Sequence, residues 1–194
     1  MSARERILAR VRDALDMRPA TEHPGSFDGW RPEGPPESAI DGFVALFEAA
    51  GGETVRRSDL AAAASWLADF ASAFHAVTVG ATVPDALRPA LDSVASEDAP
   101  LGVSVARGAV AETGSLIMDA RDGRRPQLLA PTHVVFVRSN EVHVTLGGAL
   151  EAIRHDLPSA IGLHSGPSKS ADIGQIIVTG VHGPGRVVAV LVDE

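Results

Sequence analysis

The feature that most constrains this chain is the alternation of helical and strand periodicity through its middle. Ile40, Phe43, Val44 and Phe47 recur at helical spacing over residues 38–50, and Gly51-Gly52 ends that run. Residues 53–56 then read as a short strand. Residues 59–74 read as an Ala-rich helix with Leu60, Trp66, Leu67 and Phe70, and 75–79 as a second strand. Such an order joins strands by helical crossovers, which makes them parallel in one sheet covered by helices. Pro84 is expected to open another short helix reaching Val94.

The second half is richer in strands. Short β runs are expected at 101–105, 109–111 and 115–118, a buried apolar strand at 133–137, a helix at 145–155, a strand at 160–163 and a final core strand at 187–192. Ahead of all this, Ser2 can cap a helix over 2–15 that carries Ile7, Leu8, Val11 and Leu15. Residues 19–37 hold Pro19, Pro24, Pro32, Pro35 and Pro36 with Gly25, Gly29 and Gly34, a composition that fits no regular element. The expected organisation is therefore an N-terminal helix and linker over 1–37, with Trp30 able to pin the linker, and an α/β domain over 38–194.

Composition narrows the chemistry. A 45% hydrophobic fraction over 194 residues supports a sizeable core. With no cysteine, this chain is expected to hold no disulfide, iron–sulfur cluster, Cys-ligated zinc or catalytic thiol. A formal charge of -8 and 4% aromatic residues argue against a nucleic-acid partner. The charged start Ser2-Ala3-Arg4-Glu5-Arg6 does not read as a signal peptide, and no apolar run reaches the roughly 20 residues of a membrane helix. A cytoplasmic protein without membrane insertion is the expectation.

Three polar loops carry the candidate chemistry. In Ala111-Glu112-Thr113-Gly114-Ser115, Glu112 could act as nucleophile or general base, and its neighbours could donate to an oxyanion. The same residues would equally suit a β-bulge or turn that satisfies local backbone groups. In Gly166-Pro167-Ser168-Lys169-Ser170-Ala171-Asp172-Ile173, hydroxyls and a lysine stand where a helical turn could begin, an arrangement suited to an anion. A capped surface helix is the alternative, with Asp172 holding the loop or pairing with Lys169. In Gly180-Val181-His182-Gly183-Pro184, His182 sits at a loop tip as a proton-transfer candidate, or as a plain turn residue. Because ligands of open α/β sheets bind beyond the carboxyl ends of strands, all three loops are expected there.

Seven histidines show no local metal-ligand spacing, although a spatial cluster of His133, His164, His182 and Glu112 would still be possible; no bound metal is expected. His133 opens a core strand and reads most simply as a hydrogen-bonded core residue, and His143 and His155 read as surface residues. No phosphate-loop, dinucleotide-binding or esterase-elbow motif is present. Asp119, Arg121, Asp122, Arg124 and Arg125 read as a solvated hairpin tip, from which Arg124 or Arg125 could reach an anion.

Taken together, 111–116, Leu128-Leu129-Ala130-Pro131-Thr132-His133-Val134, 166–173 and 180–184 resemble, in the same order, the signature blocks of the lactate-utilisation protein C family, the LUD domain. The resemblance covers the last half of the chain and is extended by the N-terminal helix and linker. It implies a three-layer α/β/α sandwich with a mostly parallel sheet, like that of the sugar-phosphate isomerase and CoA-transferase group. It implies a subunit of a multi-protein system oxidising L-lactate to pyruvate, with iron–sulfur clusters on partner subunits and no cofactor on this chain. The expected ligand is a small carboxylate or acyl-type anion. Glu112 and His182 are the catalytic candidates, and Thr113, Gly114, His133, Gly166, Ser168, Lys169, Ser170, Asp172 and Gly183 the binding candidates. A docking subunit without chemistry of its own, or a transferase-like enzyme acting through Glu112, are the alternatives. Two positions depart from the family pattern. An aspartate is replaced by Arg107, which favours an anion nearby, and a glutamate by Gly174.

Overall fold

The computed structural model describes residues 2–17, 38–171 and 177–193. Contacts divide the chain into two units, Met1–Pro32 and Glu33–Glu194. The described part of the first is α1 (Ala3–Asp16) with its capping box, in which Ser2 Oγ accepts from the Glu5 N–H and Glu5 accepts from the Ser2 N–H. Its apolar residues Ile7, Leu8, Val11 and Leu15 are exposed. The expected linker, with Trp30 and the boundary at residue 37, lies outside the described residues.

The second unit opens with α2 (Ala39–Ala49), β1 (Glu53–Arg57), α3 (Leu60–Ala71), β2 (Ala76–Val79) and β3 (Asp92–Ser93). It continues through β4 (Leu101–Val110), β5 (Ser115–Asp119), α4 (Arg124–Leu128), β6 (Thr132–Arg138), β7 (Val142–His143) and α5 (Leu146–Ile153). It ends with β8 (Ile161–His164), β9 (Lys169–Ala171), β10 (Ile177–Thr179) and β11 (Arg186–Val192). The main path runs β1-β11-β6-β4-β2-β3, and every neighbouring pair on it is parallel. This is the α/β class with a mostly parallel sheet that the sequence predicts.

β4 serves two sheets. Leu101 to Val105 pair with β6 and β2, whereas Ala106 to Val110 pair antiparallel with β5. β5 in turn pairs antiparallel with β8. The register slips between Ala106 and Gly108, so Arg107 is an extra residue at a bulge, which bends a strand and re-aims its side chains. The two runs expected at 101–105 and 109–111 are thus one strand, and Ala111–Thr113 is a 3-10 turn.

Alternation along the central strands divides the core. Val134, Phe136, Val188 and Val190 face α3 through Ala63 and Leu67. Val135, Val137, Ala189 and Leu191 face the other way, onto Phe43 and Phe47 of α2 and onto Leu116 and Met118 of β5. Phe43 and Phe47 are fully buried and stack with ring centroids 5.2 Å apart. α5 covers the outer layer through Ala149 and Ile153 against Val110 and Ile117.

The helix expected from Pro84 to Val94 is not formed. One 3-10 turn, Asp85–Leu87, is followed by Arg88 in an extended conformation. Pro89 is the reason: the residue before a proline is pushed out of the helical region. The chain then forms β3 beside β2.

Candidate functional site

Hydrogen bonds tie the four signature blocks to one another. Ser115 Oγ lies 2.6 Å from Ser165 Oγ, and the ladder pairs Leu116 with His164, so the first block meets the start of the second. The Ser168 N–H donates to Pro184 O at 2.8 Å, and the Gly180 N–H to Ser168 O at 2.9 Å, joining the second block to the third. The Gly185 N–H donates to Pro131 O at 3.0 Å, joining the third to the segment before β6. Gly166 packs on Ala50 and Gly52, just ahead of β1.

These contacts lie at the amino ends of β1, β6 and β11, because Gly52, Pro131 and Gly185 immediately precede those strands. Each loop does follow a strand's carboxyl end, that of β4, β8 or β10, but the three meet at the edge that holds the amino ends of the central strands. The helical turn expected at Ser168 is also absent: Lys169–Ala171 is a strand paired antiparallel with Ile177–Thr179.

Each candidate side chain has a definite place. Glu112 accepts the Leu146 N–H at 2.6 Å, at the first turn of α5, where an anion complements the exposed N–H groups. Thr113 Oγ1 accepts from Ser115 Oγ at 2.8 Å. Gly114 adopts a left-handed conformation against Leu46 and Phe47. Lys169 Nζ donates to Ala50 O at the end of α2. Ser170 pairs with Val178 across the hairpin, and Gly183 lies beside Ser168. His182 is exposed on its loop. Asp172 and Gly174 lie outside the described residues.

His133 is fully buried on the β5 side of the sheet, its Nε2 3.0 Å from Ser104 Oγ. Its Nδ1 has no hydrogen-bond partner among the described residues. Burial, with a smaller contribution from the charge of His164, pushes its pKa down to about 3. Burial lowers that of His164 as well. His164 lines a cavity of about 240 Å³ with Met118, Gln127 and Gly162. Among the described residues no group of three His, Asp or Glu side chains could hold a metal ion, so His133, His164, His182 and Glu112 do not assemble one.

A larger cavity, about 550 Å³, opens at the carboxyl ends of β2 and β6, beside the bulge in the middle of β4. Thr82, Arg107, Asp119, Arg121, Arg138 and Glu141 supply its polar lining. Neither cavity is lined by Glu112, Lys169 or His182. Asp119, 4% exposed, accepts Arg121 Nε at 3.0 Å and the Arg121 backbone N–H at 2.7 Å. Arg107 Nε stands 4.0 Å from the same carboxylate. Burial raises the Asp119 pKa, but the hydrogen bonds from Arg121 and the charges of Arg121 and Arg107 outweigh it and hold the group below its ordinary value. Asp156 accepts Arg107 Nη1 and Arg121 Nη1, both at 2.9 Å, and those two bonds hold its carboxyl below the usual range.

Of the segment read as a solvated hairpin tip, Arg121, Arg124 and Arg125 are exposed, whereas its two aspartates are interior. Asp119, Asp122 and Gln127 are buried, and Gln127 Nε2 donates to Asp119 O at 2.8 Å. Asp122 accepts the Thr82 N–H at 3.0 Å and Thr82 Oγ1 at 2.8 Å. Both bonds reach the same oxygen, and Asp122 Oδ2 is buried without a hydrogen-bond partner among the described residues. Arg107, already singled out in the sequence, lines the cavity. Asp156 and Arg138 had no sequence signal, since a lone charged residue after a helix or strand looks like ordinary surface.

A parallel α/β sheet with an antiparallel annex, braced at its amino ends by polar loop blocks, is the architectural class. The fold is similar to that in the crystal structure of a DUF162 family protein from Deinococcus radiodurans, with a TM-score of 0.59 over 81% of this chain and 99% of that one, at 20% identity. The LUD domain family matches residues 90–192, and the chain belongs to that family. The resemblance read from the blocks is thereby borne out.

Among its relatives is lactate utilization protein C 1 of Bacillus mycoides (strain KBAB4), 33% identical over 104 residues, 50% of this chain and 44% of that protein. Lactate utilization protein C of Bacillus subtilis (strain 168) is 32% identical over 107 residues, 51% of this chain and 45% of that protein. Its counterpart in Halalkalibacterium halodurans is 36% identical over 107 residues, 51% and 46% of the two chains. The matches span less than half the length of these relatives. Among the described residues no helix is long and apolar enough to cross a membrane.

Proposed function

We propose that this chain serves a lactate-utilisation system as a component that docks partner proteins through the face built by its signature blocks. The relatives named for lactate utilisation support the system. The observation that carries the docking role is the use already made of the two charged candidates: Glu112 caps α5 and Lys169 caps α2. A ligand or acyl group held by those side chains would have to break both caps. Beside them the third block and its hairpin present exposed Ile177, Val178, Val181 and His182, an apolar rim of the kind that partners cover. The iron–sulfur subunits that the resemblance implies are the partners in this reading.

Growth on L-lactate after deletion of the gene, restored by variants, tests it. Glu112→Gln, whose amide oxygen can still accept the Leu146 N–H, and Lys169→Ala are expected to restore growth, the second with a melting temperature lowered by about 2–4 °C for a lost cap worth about 1 kcal/mol. Val181→Asp is expected to abolish growth at an unchanged melting temperature. Loss of growth with folded Glu112→Gln would return the reaction to that carboxylate and end the docking reading.

A further inference from the structure

The arginine-lined cavity is separate from the signature blocks and sits where an open α/β sheet ordinarily receives its ligand. From β2 the chain turns outward to β3, whereas from β4 it proceeds inward to β6 and β11. The gap between the carboxyl end of β2 and the end of the parallel half of β4 is thus a point where strand order reverses, and crevices form at such points. Thr82 stands on one side of this gap and Arg107 on the other.

The donors are aimed in advance. Asp119, buried, fixes Arg121 through its Nε and backbone N–H. The bulge at residue 107 brings the second guanidinium to the same place. What the two arginines hold is a carboxylate: Asp156 Oδ2 receives Arg107 Nη1 at 2.9 Å and Arg121 Nη2 at 3.3 Å, Oδ1 receives Arg121 Nη1 at 2.9 Å, and Arg121 Nη2 also donates to Asp156 O at 3.1 Å. The two-pronged grip of Arg121 on this carboxylate, strengthened by Arg107, is the geometry by which a guanidinium recognises a free carboxylate. Asp156 is a weak holder of the position, for its side chain is 60% exposed and it follows α5 on a turn. Exposed ion pairs contribute little and exchange readily with competitors. Pro84, Val105 and Ile153 give the cavity an apolar wall that fits a short organic body, and Glu141 repels a second negative group.

We propose that this cavity binds a short-chain monocarboxylate, whose carboxylate bridges Arg107 and Arg121 in place of Asp156. Asp119 is the positioning residue, and Asp156 is an internal stand-in that the ligand displaces. The site does not depend on the docking role and is tested separately.

Isothermal titration of the full chain with pyruvate, acetate and inorganic phosphate decides it. Asp156→Asn is expected to bind pyruvate about three- to ten-fold tighter than the wild type, the gain from removing two exposed ion pairs. Arg107→Gln is expected to weaken it by at least about ten-fold, as the loss of a charge-assisted pair does. Acetate should follow pyruvate in both variants, and phosphate should bind more weakly than either. Equal pyruvate affinity in Asp156→Asn and wild type, or no measurable binding in Asp156→Asn, overturns the proposal. Tighter phosphate than pyruvate binding overturns the ligand class. If Arg107→Gln fails to fold, Asp156→Asn, altered at an exposed side chain, decides the question alone.

Discussion

Between pH 6.5 and 4 the domain is expected to lose stability by up to about 1.4 kcal/mol per pH unit through His133 alone. The unfolded histidine takes up a proton below about pH 6.5. In the folded state the same ring, sealed between β6 and β4, stays neutral down to about 3. The unfolded chain therefore binds more protons in this window, and folding weakens as pH falls. The contribution of neutral His133 is complete above pH 6.5 and is lost progressively towards pH 3, about 5 kcal/mol in all. That is a large part of the 5–15 kcal/mol typical of a domain.

Paired carboxylates act later. Asp119 and Asp156 are held below their ordinary values, so their protonation costs stability only below about pH 4. His164, shifted in the same direction as His133, adds to the upper window. Urea unfolding at pH 7, 6, 5 and 4 measures the slope. In His133→Gln most of it should disappear and leave the smaller share of His164. A wild-type profile flat between pH 6.5 and 4 would show that the ring is not sealed.

Gly114→Ala is expected to cost at least about 3 kcal/mol, among the largest losses available to a single methyl group here. Gly114 has φ 56° and ψ 40°, a left-handed conformation that costs any other residue about 1–2 kcal/mol. An added Cβ would also stand 2.7 Å from the backbone of Leu46 and Phe47. It could fit only if α2 withdrew, and α2 carries Phe43 and Phe47 into the core. For a unit of this size the fall in melting temperature should be about 6–12 °C. Gly147→Ala is the control: nothing lies within 4 Å of its added Cβ, and the site is helical. That change should be neutral or stabilising by up to about 1 kcal/mol. Equal melting temperatures for the two variants would mean that α2 does not press on the 111–115 turn.

Much of the fold was legible because burial on both faces leaves a continuous apolar run. Residues 133–137 and 187–192 read as strands for that reason, and β6 and β11 prove to be the centre of the sheet. The helices expected to begin at 38, 59 and 145 do so, and there Ser38, Asp59 and Thr145 each accept a backbone N–H as caps. What misled was charge. Asp119, Arg121 and Asp122 look like solvent-facing residues until the fold supplies their partners, Asp156 and Thr82, from elsewhere in the chain. Spacing also gave no edge to the signature blocks. They follow the carboxyl ends of β4, β8 and β10, as expected, yet they meet at the amino ends of the central strands, where Gly185 directly precedes β11. The arginine cavity was half visible: Arg107 stood out against its family pattern, while Asp156 required the turn after α5 to bring it across.

One strand, β4, belongs to both layers of the domain. Its amino half cannot leave β2 and β6 without loosening its carboxyl half from β5, and the bulge at Arg107 marks the joint between them. Amide hydrogen exchange should accordingly find β4, β5 and β6 opening together, as one cooperative unit with nearly uniform protection. A domain wired this way has no cheap partial opening, because ten residues of shared backbone join its two layers.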